Sequence, residues 1–137
     1  MIAMNQAPSY GIHRHLAGCT LAEAILRARV ALADEGFGVL TEIDVQATMR
    51  AKVGEDVGGY VILGACNPKL ALEALRADSG VGLLLPCNVV VTESADGATV
   101  AAIDPEALFQ VVGDPRVGPL AAIVKAKLQR AIAAMAE

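Results

Sequence analysis

Twice in this chain an apolar run ends on a capping residue followed at once by proline: Ala65-Cys66-Asn67-Pro68 and Ala102-Ile103-Asp104-Pro105. Asn and Asp can accept a hydrogen bond from a free amide of a first helical turn, and proline suits the first helical position, where its missing N–H costs nothing. Each tetrapeptide therefore predicts a strand passing into a helix with almost no loop between them. That excludes a pure bundle and a pure sandwich, and it makes the chain a mixture of strands and helices.

The remaining elements follow from similar signals. Tyr10 to Leu16 reads as a strand, with Tyr10, Ile12 and Leu16 on one face and His13 and His15 on the other. Thr20-Leu21-Ala22-Glu23 is a capping-box pattern, and the helix it opens carries Leu21, Ile25, Ala28 and Leu32 in one stripe until Gly36 stops it. Phe37 to Ile43 is a strand, and Asp44 caps a short helix with Val45, Met49 and Val53 in line. Tyr60 to Ala65 is a third strand; Leu70, Leu72 and Leu75 are expected on the buried side of the helix after it, and Gly80-Val81-Gly82 ends the connection. Leu83 to Thr92 is a long apolar strand carrying Pro86, so the strand begins or bulges there, since proline cannot donate to a ladder. Asp96-Gly97 is a hairpin turn, and Ala98 to Ile103 pairs back antiparallel. A helix to about Val112 follows, then turns at Asp114-Pro115 and Gly118-Pro119. A long final helix is striped by Leu120, Ile123, Val124, Leu128, Ile132 and Met135. The order β-α-β-α-β-α-β-β-α-α defines the class as α+β. Residues 1–9 are expected to be a loose N-terminal tail and residues 10–137 a single α+β domain.

Composition narrows the partners. A chain of 137 residues is one domain on length and buries roughly two-thirds of its unfolded surface. Apolar residues make up 55% and charged residues 19%, an apolar excess greater than a monomer of this size needs, which points to a homodimer. With 3% aromatics, a net charge of -4 and no basic block, nucleic acid is not an expected partner. No membrane association is expected: the longest candidate span, Leu120 to Ala136, is interrupted by Lys125, Lys127 and Arg130. Met1 to Ser9 lacks the basic start and apolar core of a signal peptide, and three cysteines make an odd set for a secreted disulfide framework, so the cytoplasm is the expected location.

Two Cys-Asn pairs, Cys66-Asn67 and Cys87-Asn88, each follow an apolar run and are the ligand-binding candidates. Cys66 precedes a helix N-terminus, which can lower a thiol pKa and make it reactive. The plain alternative is a small buried side chain at a crowded junction, with Asn67 merely capping. Asn88 stands in a strand, where Asn is disfavoured, and amide side chains can bind a carboxylate, an oxyanion or backbone groups. If the pairs lie on neighbouring strands, they can share a small polar pocket. A Cys-His hydrolase needs a base beside the thiol, and the only histidines, His13 and His15, are distant in sequence. The two thiols are 21 residues apart with no Cys-x-x-Cys, so no metal site is expected. Glu42 and Asp44 read as a polar strand end and a cap before they read as an acid-base pair. Gly54, Gly58 and Gly59 lack the Lys-Ser/Thr of a phosphate loop, and no cofactor is expected. Cys19 is incidental beside the Thr20 cap.

Three ungapped stretches carry a family resemblance: Gly36-Phe37-Gly38-Val39-Leu40-Thr41-Glu42-Ile43-Asp44-Val45, Tyr60-Val61-Ile62-Leu63-Gly64-Ala65-Cys66-Asn67-Pro68 and Leu83-Leu84-Leu85-Pro86-Cys87-Asn88-Val89-Val90-Val91. With the acidic hairpin and Asp104-Pro105 after them, the chain resembles the bacterial family called domain of unknown function 302. The resemblance implies helices on one face of an antiparallel sheet, a layout similar to the TATA-binding-protein fold, and a homodimer. It implies no activity, and His13 and His15 lie outside the motifs that carry it. The leading expectation is a homodimeric, sensor-like cytoplasmic protein with a small-molecule pocket near the Cys-Asn pairs. The alternative is a thiol-dependent enzyme or redox protein using Cys66, with a purely structural interaction protein third.

Overall fold

Each of these capping signals is met by a hydrogen bond in the computed structural model, which describes residues 8–135. Most of the expected tail, residues 1–7, lies outside the described residues. The elements are β1 (Gly11–Ala17), α1 (Leu21–Asp34), β2 (Gly38–Asp44), α2 (Val45–Val53), β3 (Tyr60–Cys66), α3 (Pro68–Ala77), a 3-10 helix (Ser79–Leu84), β4 (Cys87–Ser94), β5 (Gly97–Ile103), α4 (Pro105–Phe109) and α5 (Val117–Ala134). At the start of α1 the Glu23 amide donates to Thr20 Oγ1 at 3.1 Å while the Thr20 amide donates to Glu23 Oε1 at 3.4 Å. Asp44 Oδ1 accepts from the Ala47 amide at 2.9 Å, Asn67 Oδ1 from Leu70 at 3.4 Å and Asp104 Oδ1 from Glu106 at 2.9 Å. Gly36, at φ 85°, turns the chain out of α1 in the left-handed region open to glycine.

The strands form one sheet in the order β1-β5-β4-β3-β2, antiparallel at every pair. Alternation gives the sheet two unlike faces. Val61, Leu63 and Ala65 of β3, Val89 and Val91 of β4 and Val100 of β5 point to one side and are buried. Against them pack Ala24, Ala28 and Leu32 of α1 and Leu128, Ala131 and Ile132 of α5. The small alanines let both helices approach the sheet closely. The class is α+β, with the helices packed on one face of an open antiparallel sheet.

Some local expectations shift. β4 starts at Cys87, directly after Pro86, so the proline precedes the ladder instead of interrupting it. α4 ends at Phe109, short of Val112. In α3 the inward side is Leu70, Ala71 and Ala74, whereas Leu72 and Leu75 are 47% and 39% exposed. Positions 70 and 72 lie far apart around a helix and cannot share a stripe, while 70, 71 and 74 can. The α2 line of Val45, Met49 and Val53 buries nothing completely.

Candidate functional site

The apolar ends of β3 and β4 meet α3, α4 and α5 around a pocket with a void of about 40 Å³. Cys66, Asn67 and Cys87 line it. Leu70 and Ala74 of α3, Phe109 at the end of α4, and Leu120 and Val124 of α5 close the sides. The lining is almost wholly apolar, so the pocket differs from the polar one expected around two amides. Sequence reasoning missed Phe109 and the α5 wall; the only signal was an apolar stripe that reads equally as core.

The two thiols sit on neighbouring strands, because Ala65 pairs with Cys87. Alternation sends Cys87 to the helix side with Ala65 and starts Cys66, the last residue of β3, on the other side. Cys87 is buried, Cys66 is half-buried, and both are free thiols. Burial pushes Cys87 up to about 11, with neighbouring Cys66 adding to the rise. Burial also raises Cys66, contrary to the lowering expected from the helix end. The reason is local. Pro68 has no N–H, the Leu70 amide is taken by the Asn67 side chain, and the Ala71 amide by the Asn67 carbonyl at 2.9 Å. Little of the positive end of α3 is left for a thiolate.

Asn67 performs the expected cap, and its Nδ2 also donates to the Glu35 carbonyl at 3.5 Å, tying α3 to the end of α1. Asn88 is not beside it. It pairs with Gly64 on the sheet face away from the pocket and is exposed there, in a shallow surface depression with Pro86, Ile103 and Leu108. The structure thus brings together Cys66, Asn67 and Cys87 and leaves Asn88 apart.

His15 has other work. His15 Nε2 lies 3.1 Å from Asp96 Oδ1 and His15 Nδ1 lies 3.3 Å from Thr99 Oγ1, which pins the β1 edge to the hairpin. Strand β5 separates β1 from β4, so roughly 10 Å of sheet intervenes before either thiol-bearing strand is reached. Among the described residues no group of three or more His, Cys, Asp or Glu is arranged to hold a metal. Glu42 pairs with Arg29 at 2.8 Å and Asp44 caps α2, so these carboxylates are structural. Gly58 and Gly59 donate to Asp56 and Glu93, forming a turn. No helix among the described residues is long and apolar enough to cross a membrane.

The whole arrangement is similar to the crystal structure of an uncharacterized conserved DUF302 protein from Bacillus stearothermophilus. The TM-score is 0.85 at 26% identity, over 93% of this chain and 99% of that one. No curated protein matches the chain. The family model described as domain of unknown function DUF302 matches residues 13–135, from the first strand through the end of the last helix, and the chain belongs to that family.

Proposed function

We propose that this chain is a homodimeric small-molecule-binding domain of the cytoplasm, whose ligand inserts an apolar group into the pocket at Cys66, Asn67 and Cys87. The observation that carries this reading is a void of about 40 Å³ with an apolar lining. A water there would find few of the two to four polar partners it needs, so the void favours an apolar occupant. Its size admits a methyl or isopropyl terminus, with the rest of the ligand toward the open side. Three free cysteines agree with a reducing compartment. The pocket works by shape and apolar contact, with Asn67 as its polar edge. Two raised thiols give no activated nucleophile, so binding is favoured over thiol catalysis.

The test is an amide and methyl NMR titration with small branched aliphatic alcohols and acids. Shifts centred on Leu70, Ala74 and Val124, saturating with added fragment and lost in Ala71→Leu, are expected. Saturable shifts elsewhere, or none at the pocket, would refute the reading.

A further inference from the structure

Beside the apolar pocket stand two charges that the fold leaves unused. Leu120 walls the void and also an adjoining surface groove of about 300 Å³, whose other lining residues are Glu73, Arg76, Ala77 and Arg116. Residues of α3 and α5 therefore border both. On α3 the void takes Ala74 and the groove takes Ala77, three residues on and about 4.5 Å further along the axis. A ligand the size of leucine bridges that step with one end in each.

The charges of the groove are unequally committed. Arg116 is taken. Its Nε and Nη2 donate to Asp114 at 3.1 and 2.7 Å, and Nη2 also donates to the Ala77 carbonyl at 2.7 Å. Asp78, whose charge reaches Arg116, accepts from the Gly80 amide at 2.8 Å. Glu73 and Arg76 are both exposed, and a spacing of three residues puts them on one side of α3. Among the described residues neither makes an ion pair or a side-chain hydrogen bond.

We infer that the ligand of this pocket is an α-amino acid with a branched aliphatic side chain, its carboxylate at Arg76, its ammonium at Glu73 and its isopropyl end in the void. The inference rests on the apolar-pocket reading and adds the chemical class of the ligand. A void of about 40 Å³ limits the buried end to a few carbons. An aliphatic acid would satisfy Arg76 but set its charge beside Glu73, and an aliphatic amine would do the reverse. A zwitterion gives both a partner and brings no net charge to a groove whose other cation is already neutralised by Asp114. A guanidinium can receive the carboxylate through two parallel hydrogen bonds. The void offers neither end of the zwitterion a charge, because burial keeps Cys66 and Cys87 protonated, so the aliphatic end is the one that enters.

The experiment is the same NMR titration with L-leucine, isocaproate and isoamylamine on the parent, Arg76→Gln and Glu73→Gln. The three compounds share the isopropyl end; isocaproate lacks the ammonium and isoamylamine the carboxylate. Both substituted positions are exposed, so the fold tolerates the changes. Saturable shifts at Leu70, Ala74 and Val124 are expected from all three, with leucine binding most tightly. Arg76→Gln should weaken leucine and isocaproate about three- to fivefold, the measure of an exposed ion pair, and leave isoamylamine unchanged. Glu73→Gln should weaken leucine and isoamylamine by the same factor and leave isocaproate unchanged or tighter. Leucine binding that is no tighter than that of the other two, or is insensitive to either substitution, overturns the amino-acid class and leaves the apolar-pocket reading standing. Glycine, which lacks the aliphatic end, should not bind, and glycine binding as tightly as leucine also overturns the inference. No saturable shift at the pocket with any of the compounds overturns both readings.

Discussion

Asn67 is one side chain with two jobs, and its loss tests both. Its Oδ1 caps α3 and its Nδ2 reaches the Glu35 carbonyl. Asn67→Ala should cost about 1 kcal/mol, read from the midpoint of a urea unfolding curve with unchanged slope. Cys87 makes a second residue-scale prediction. Its thiol is raised from the ordinary 9.0 to about 11. Between those values the folded state still holds the proton that the unfolded chain has lost, so stability falls as pH rises through that window. The loss should be on the order of 3 kcal/mol by pH 11, and the steepness should shrink in Cys87→Ala when unfolding is compared at pH 8 and pH 10.5. Native iodoacetamide labelling with peptide mass mapping should modify half-buried Cys66 before Cys87. Neither should label rapidly near neutral pH, because burial raises both. Rapid labelling of Cys66 at pH 7 would revive the thiol-enzyme reading.

β2, β3 and the Pro86 turn converge closely at Gly64. A methyl added at Gly64 would overlap Thr41 Oγ1 and lie 2.8 Å from Pro86 Cγ. Gly64→Ala should therefore destabilise by about 1–3 kcal/mol through overpacking, measured by thermal and urea unfolding. A compensating Thr41→Ala should recover part of that loss, because the hydroxyl is the nearest obstacle. At this scale much was legible in advance. The capping box at Thr20, the Asn67-Pro68 and Asp104-Pro105 starts and the Asp96-Gly97 hairpin depend on neighbours within four residues, and each stands where expected. The inward side of α3 was misjudged because leucines were weighed above alanines. Ala71 and Ala74 face inward because that side meets α5 and strand ends, and composition does not state which side that is.

For the whole molecule, the proposed pairing links stability to concentration. If folding and association are coupled, the Tm should rise with protein concentration over a hundredfold range, read by thermal unfolding, and a Tm independent of concentration would oppose the homodimer reading.

Local hydrogen-bond chemistry made the order of elements and the α+β class readable from the chain alone, since caps, prolines and turns act over a few residues. The same chemistry placed Asn67 correctly. It could not place Asn88, Phe109 or the histidines, because their surroundings depend on which strands become neighbours. Inserting β5 between β1 and β4 carried His13 and His15 away from the thiols. The alternation of β4 sent Asn88 to the face opposite Cys87. Burial, which only packing creates, raised the Cys66 thiol where a helix end in isolation would have lowered it.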